Sequence, residues 1–312
     1  MEIYKKNDIE LFYPNLTVNE IDYLYLNINN YYNENQINKS LFVQTIAFLF
    51  KQKKIEIINL KDRTVFESGT FAKIYKINNF AIKKIVNIYH NLTLIESIIS
   101  NIINHNNIYK WDGFILDKYG QICFFGKLAD CELFSIINKI CRLNIKQILR
   151  IFKFIVCGLF ELHNNGIIHR DMKCSNILIF NSDLKKLKIT DIKICDFGSC
   201  CFRNNEHHIF LKLTTEQYRS PNTDSLCKNI DQYEKIDVWA LGCILGELYT
   251  GKLLFEKYTD ISEYINDPFD YFYKKKIKND DIINLMLCMI NPDIDKRFSC
   301  KEILAYLEIM NT

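Results

Sequence analysis

The sequence predicts an α+β chain, with a strand-rich first part carrying one main helix and a larger, mainly helical second part. Three observations lead there. Ile74-Tyr-Lys-Ile and Phe80-Ala-Ile-Lys-Lys-Ile are short β-type runs joined by Asn78-Asn79, two residues that tolerate positive φ and suit a tight hairpin turn. Behind them, Leu94, Ile95, Ile98, Ile99, Ile102 and Ile103 recur on one side of a helix. Beyond about residue 133 helical patterns dominate, with short strands expected near Ile177–Phe180 and Ile192–Cys195.

Composition bounds the chemistry. The hydrophobic fraction of 48% and the charged fraction of 25% are those of an ordinary globular chain able to bury a core. Lys and Arg total 40 against 37 acidic residues, a balance that argues against nucleic acid or an anionic membrane as main partner. The 12 cysteines are scattered without a CxxC pair, so zinc and a disulfide framework are not expected. They read as reduced, mostly buried thiols. With no long apolar leader after Met1, the expected location is intracellular, cytoplasmic or nuclear.

Residues 1–60 read as an accessory segment. Asn27-Ile-Asn-Asn-Tyr-Tyr-Asn-Glu-Asn is a polar connector. Leu41, Thr45, Phe48 and Leu49 recur at helical spacing ahead of Lys51-Gln-Lys-Lys, which suits a helix C-terminus. The run Leu41–Phe50 is too short to span a bilayer.

The strongest signal is His169-Arg-Asp-Met-Lys-Cys-Ser-Asn176, running into Ile177-Leu-Ile. It resembles the catalytic loop of the protein-kinase family. On that resemblance Asp171 accepts or orients the proton of the attacking hydroxyl. Lys173 holds charge developing on the phosphoryl oxygens. Asn176 offers a neutral oxygen to Mg²⁺. Ile194-Cys-Asp-Phe-Gly198 follows at the family's distance, so Asp196 is the second metal ligand, with Phe197 packing under the helix that carries Glu96. A lone Asp-Phe-Gly would be weak; after a strand and behind the first motif it is strong.

Upstream, Lys83 in Phe80-Ala-Ile-Lys83 is expected on the α- and β-phosphates of ATP, held by Glu96, which precedes His105-Asn-Asn-Ile108 at family-like spacing. Taken singly, an exposed lysine and a surface helix glutamate would be the better reading; in register with the metal loops they are not. Asp237-Val-Trp-Ala-Leu-Gly and Arg297 in Asp295-Lys-Arg-Phe resemble the family's C-lobe helix, whose aspartate bonds the catalytic-loop backbone, and its late arginine. The resemblance covers roughly residues 61–310. It implies a two-lobed fold, with a small antiparallel-sheet N-lobe over about 61–128 and a mainly helical C-lobe over about 129–310.

The resemblance further implies Ile74 and Ala81 above the adenine, Leu178 below it, and a hinge near Phe125–Leu128. Three positions depart from the pattern. In Glu67-Ser-Gly-Thr-Phe-Ala72 only Gly69 survives of the phosphate-covering glycines. Asn222 in Tyr218-Arg-Ser-Pro-Asn222 stands where the family has Glu, so its ion pair with Arg297 cannot form, although Asn222 can accept one hydrogen bond. Ser100 stands where an apolar side chain is usual.

Lys173 and Thr215 imply serine/threonine specificity. Glu216-Gln-Tyr-Arg-Ser-Pro is similar to the group of cyclin-dependent, dual-specificity Tyr-regulated and SR-protein kinases. Between Trp239 and Arg297 there is no room for that group's insertion, and Phe210 and Lys212 occupy the stretch of its activation tyrosine. Thr214 or Ser199 are candidate phosphosites facing Arg170. The expected function is ATP- and Mg²⁺-dependent phosphorylation of a protein substrate, with a regulatory protein partner left open. The alternatives are a nucleotide-binding scaffold lacking turnover, suggested by Glu67, Ala72, Ser100 and Asn222, and a small-molecule kinase.

Overall fold

The computed structural model describes residues 57–58, 64–68, 72–85, 91–117, 122–139, 143–180, 189–203, 215–223 and 231–310. The chain divides into two compact units, Met1–Asn104 with Lys110–Ala129, and His105–Tyr109 with Asp130–Thr312.

The first unit comprises β1 (Ile57–Ile58), β2 (Thr64–Ser68), β3 (Ala72–Ile77), β4 (Phe80–Ile85), α1 (Asn91–Ile102), β5 (Gly113–Asp117) and β6 (Ile122–Lys127). Its sheet has the order β1-β5-β6-β4-β3-β2, antiparallel throughout except that β1 runs parallel to β5. The expected hairpin is present: Ile77 pairs Phe80 across a turn in which Asn78 takes φ 52°. Asn is among the few non-glycine residues that adopt this conformation readily. One sheet face packs Tyr75, Ile82, Ile115 and Cys123 into a cluster. Because strand side chains alternate, Ile74, Ala81, Lys83 and Phe124 lie on the opposite face.

β1 lies inside the stretch 1–60 that the sequence marks as accessory, so the sheet begins before the expected boundary. The remainder of that stretch, including the helical pattern at Leu41–Leu49, lies outside the described residues. The strand expected over Ile122–Phe125 continues to Lys127, where Phe80 pairs Lys127, and Leu128 N–H donates to Asn79 O at 2.9 Å. Pairing therefore absorbs most of the stretch expected as hinge, because β4 is long enough to partner it.

The second unit comprises β7 (Cys131–Glu132), α2 (Leu133–Lys139), α3 (Ile145–Asn164), β8 (Ile167–Ile168), β9 (Ile177–Phe180), β10 (Asp191–Ile194), β11 (Cys201–Phe202), α4 (Asp231–Thr250), α5 (Tyr258–Asn266), α6 (Pro268–Lys274), α7 (Asp280–Met289) and α8 (Cys300–Met310). α3 starts on a capping box: Asn144 Oδ1 accepts from Gln147 N–H, and the Gln147 side chain accepts from Asn144 N–H, both at 2.9 Å. α4 is buried without a break from Ile236 to Leu248, as an axial helix wrapped on all sides must be. Trp239, Phe255, Tyr264, Tyr271 and Phe272 form one ring cluster beside it.

The segment His105–Tyr109 is clipped to β10: Tyr109 N–H donates to Ile194 O at 2.8 Å, and Ile194 N–H to Asn107 O at 2.9 Å. Gly158 of α3 permits this approach, since a Cβ there would sit 2.7 Å from Asn107 O. Among the described residues no helix is long and apolar enough to cross a membrane.

Candidate functional site

The short turn after β8 carries His169, Arg170 and Asp171, and α4 fixes it. Asp237, 1% exposed, accepts His169 N–H at its Oδ2 and Arg170 N–H at its Oδ1, each at 2.8 Å. One carboxylate thus satisfies two buried backbone donors and holds Arg170 at φ 66°, a left-handed conformation that is costly unless its surroundings enforce it. Asp237 also bonds His163 Nε2 at 2.9 Å. Burial alone would depress the His163 imidazole, but Cys300 Sγ against its Nδ1 and the Asp237 bond outweigh that and hold its pKa up at about 9. Burial likewise opposes the Asp237 charge, and His163, with the His169 backbone, overcomes it and holds the carboxyl below its ordinary range.

Asp171 is buried and locked by three neighbours. Its Oδ1 accepts from Thr215 Oγ1 at 2.7 Å and from Thr215 N–H at 3.1 Å. Its Oδ2 lies 2.8 Å from Lys173 Nζ and 3.3 Å from Asn176 Nδ2. Lys173 donates also to Thr215 Oγ1 at 3.1 Å, closing a ring of carboxylate, ammonium and hydroxyl. The structure therefore brings together Asp171, Lys173 and Asn176, three of the sequence-expected residues, and joins Thr215 to them.

Asn176 donates its amide nitrogen to Asp171 O at 2.7 Å, which leaves Oδ1 as the atom it can offer a cation. Cys195 N–H donates to Asn176 O at 2.9 Å, tying the two motif loops together backbone to backbone. Asp196 follows at φ 61°, the second left-handed non-glycine residue in this unit's motif loops. His169 bridges the loops as well, with its Nε2 3.1 Å from Cys195 O and its ring edge-on to Phe197 at 5.7 Å. An amide oxygen and a carboxylate from adjacent loops fit Mg²⁺, a hard ion that takes few protein ligands and keeps its waters. Ser199, one candidate phosphosite, gives its carbonyl to Arg170 Nε at 2.5 Å; Thr214, Phe210 and Lys212 lie outside the described residues.

In the first unit, Lys83 Nζ meets Glu96 Oε1 at 2.9 Å and Oε2 at 2.7 Å, with both residues buried. Trp111 Nε1 donates to the same Oε1 at 2.9 Å. Ile74 lies opposite Lys83 in the β3–β4 ladder, and Ala81 precedes it by two on the same strand, so the two expected adenine-site residues share its sheet face. Leu178 sits on β9, half-buried and paired with Lys193. Gly69 lies outside the described residues. Ser100, one turn after Glu96, is buried, its hydroxyl without a hydrogen bond among the described residues.

Arg297, 1% exposed, donates to Asn222 Oδ1 and, at 2.9 Å, to Ser220 Oγ, and lies over the Trp239 ring at 4.9 Å. Asn222 thus accepts the hydrogen bond expected of it, and Ser220 adds a second acceptor where the family's carboxylate is missing. Trp111 and His163 carried no sequence signal: each is read only once its partner is in place.

An α+β chain with a sheet-based first unit, a helical second unit and this loop constellation has the architecture of a kinase. The chain belongs to the protein kinase domain family, whose model it matches over residues 65–307. It is similar to mitogen-activated protein kinase HOG1 of Candida albicans, 29% identical over 202 residues, covering 61% of this chain and 50% of that protein. The dual specificity protein kinase YAK1 homolog of Arabidopsis thaliana is 32% identical over 205 residues, covering 60% and 20%. The probable dual specificity protein kinase madd-3 of Caenorhabditis elegans is 27% identical over 268 residues, covering 75% and 30%. These relatives belong to the kinase group that the Glu216-Gln-Tyr-Arg-Ser-Pro segment resembles. The chain spans half or less of the length of each.

Proposed function

We propose that the chain transfers the γ-phosphoryl group of ATP to serine or threonine hydroxyls of a protein substrate. The observation that carries this reading is the closed ring of Asp171, Lys173 and Thr215. It holds a carboxylate in one orientation with an ammonium beside it, the pair that an attacking alcohol and a phosphoryl group being transferred require. The substrate oxygen bonds to the γ-phosphorus as the bond to the bridging β–γ oxygen breaks, and ADP carries that oxygen away. Asp171 Oδ2 orients the alcohol and takes its proton. Lys173, partly exposed, follows the phosphoryl oxygens, and Lys83, oriented by Glu96, takes the α- and β-phosphates.

Asn176 and Asp196 hold Mg²⁺, which supplies positive charge against the triphosphate. Gly69 gives backbone to the phosphates, and Ile74, Ala81 and Leu178 give apolar contact to the adenine. A protein substrate is implied by Thr215 and Tyr218-Arg-Ser-Pro, which build a platform for peptide. A regulatory protein partner and an intracellular site, cytoplasmic or nuclear, belong to the same reading, as does a kinase domain over residues 61–310 behind an accessory segment at 1–60 that lends β1 to the domain's sheet.

Incubation with γ-labelled ATP, Mg²⁺ and a mixed protein substrate tests it. Label in phosphoserine and phosphothreonine is expected. Label confined to phosphotyrosine overturns the specificity, and tight ATP binding with no label under Mg²⁺ or Mn²⁺ overturns the activity.

A further inference from the structure

We propose that Trp111 is a positioning residue for the Lys83–Glu96 pair, its indole N–H setting the orientation of the carboxylate that the lysine meets. The proposal rests on the reading of Lys83 as the ATP-binding lysine. Glu96 is 2% exposed, so every lone pair it turns away from a donor is costly. It accepts three hydrogen bonds: two from Lys83 and one, at 2.9 Å on Oε1, from Trp111.

The two donors differ in kind. A lysine ammonium rides on a flexible four-carbon stem with three rotatable donors, so it follows a carboxylate rather than fixing it. An indole is a single donor at the edge of a rigid ring. Here that ring is held: it stacks on Phe124 with centroids 6.1 Å apart and planes at 25°, it is 8% exposed, and the next residue donates its backbone N–H to Phe125 O at 2.9 Å. Trp111 is therefore the fixed member of the triad, and Lys83 the adjustable one.

The helix carrying Glu96 makes that fixed point matter. Ser97 and Ser100 are buried on α1, and the Ser100 hydroxyl finds no hydrogen-bond partner among the described residues. One turn along from Glu96 the helix thus presents a small, poorly satisfied group instead of an apolar plug. The indole then gives Glu96 a fixed contact that the side chain at position 100 does not.

The test replaces Trp111 with Phe (Trp111→Phe) and, separately, with 3-benzothienylalanine, which keeps the indole outline and puts sulfur in place of N–H. Acylation of Lys83 by an amine-reactive ester, in nucleotide-free full-length protein and read by peptide mass spectrometry, is expected to run three- to tenfold faster in both variants. kcat is expected to fall three- to tenfold, with KM for ATP changed less than twofold. If the Phe variant loses its fold, the isostere decides. Native acylation and native kcat in the isostere overturn the proposal. A protein that transfers no phosphate, yet whose Lys83 acylates faster in both variants, overturns the kinase reading and leaves the positioning role standing.

Discussion

Thr215 Oγ1 donates to Asp171 Oδ1 at 2.7 Å while accepting from Lys173 Nζ at 3.1 Å. The hydroxyl joins the two groups proposed to do the chemistry, and its loss removes one hydrogen bond from each. Thr215→Val keeps the shape and removes the hydroxyl. A hydrogen bond to a charged group contributes roughly 1.5–3 kcal/mol, so kcat should fall about ten- to a hundredfold, with KM for ATP little changed. Thr215→Ser should recover most of the rate in steady-state assays. A Val variant with native kcat would remove Thr215 from this role.

Lys83→Met separates stability from turnover. It leaves the buried Glu96 carboxylate with the Trp111 indole as its remaining donor among the described residues, and an uncompensated buried charge costs about 3–5 kcal/mol. Turnover should drop at least about a hundredfold. Adding Glu96→Gln should restore much of the melting temperature, because a neutral amide can still accept from the indole, but it should restore no activity. Thermal unfolding and initial rates on the native protein and the two variants check both halves.

The Asn222 substitution in the Tyr218–Asn222 segment leads to a stability prediction. Asn222→Ala removes an acceptor from Arg297, and Ser220 remains to take part of the load. The loss should be about 1–2 kcal/mol, read by chemical denaturation, with kcat for folded protein unchanged.

Stability should depend on pH above neutrality through His163. Its folded pKa, about 9, stands above the ordinary value of 6.5. The contribution of the imidazolium is therefore complete below about pH 6.5 and is lost as pH rises through about 9. The total change is at most roughly 3 kcal/mol. Asp237, held low, acts at the acid end: its contribution is present above its ordinary value and is lost as pH falls through the depressed one. Urea unfolding between pH 6 and pH 9.5 should show stability declining in the native protein and much flatter in His163→Gln. Cys300 Sγ at 3.5 Å and Glu234 Oε2 at 3.9 Å also face Nδ1, so Glu234→Gln should weaken the slope without abolishing it.

Much of this molecule was legible from local chemistry. The Asn78-Asn79 turn, the β3–β4 hairpin and the helix α1 follow from periodicity and turn residues, and the structure has all three, with Ile98 and Ile99 of the helix buried. The spacing of Asp171, Asn176 and Asp196 announced loops that the backbone bond from Cys195 to Asn176 brings together. What was not legible depends on partners distant in sequence. Ile57–Ile58 is too short to read as a strand until β5 lies beside it. The run through Lys127 becomes strand because β4 supplies a ladder. Trp111 looks like any core aromatic until a carboxylate 15 residues earlier appears at its N–H, and His163 needs Asp237, 74 residues later.

The central claim is that Asp171 acts on the attacking hydroxyl. Its most direct test is rapid-quench transfer from γ-labelled ATP by native protein and by Asp171→Asn, with ATP affinity measured in parallel. The expected result is unchanged ATP affinity and a transfer rate at least about a hundredfold lower in the variant. Equal rates from the two proteins would contradict the role of Asp171 and, with it, the mechanism.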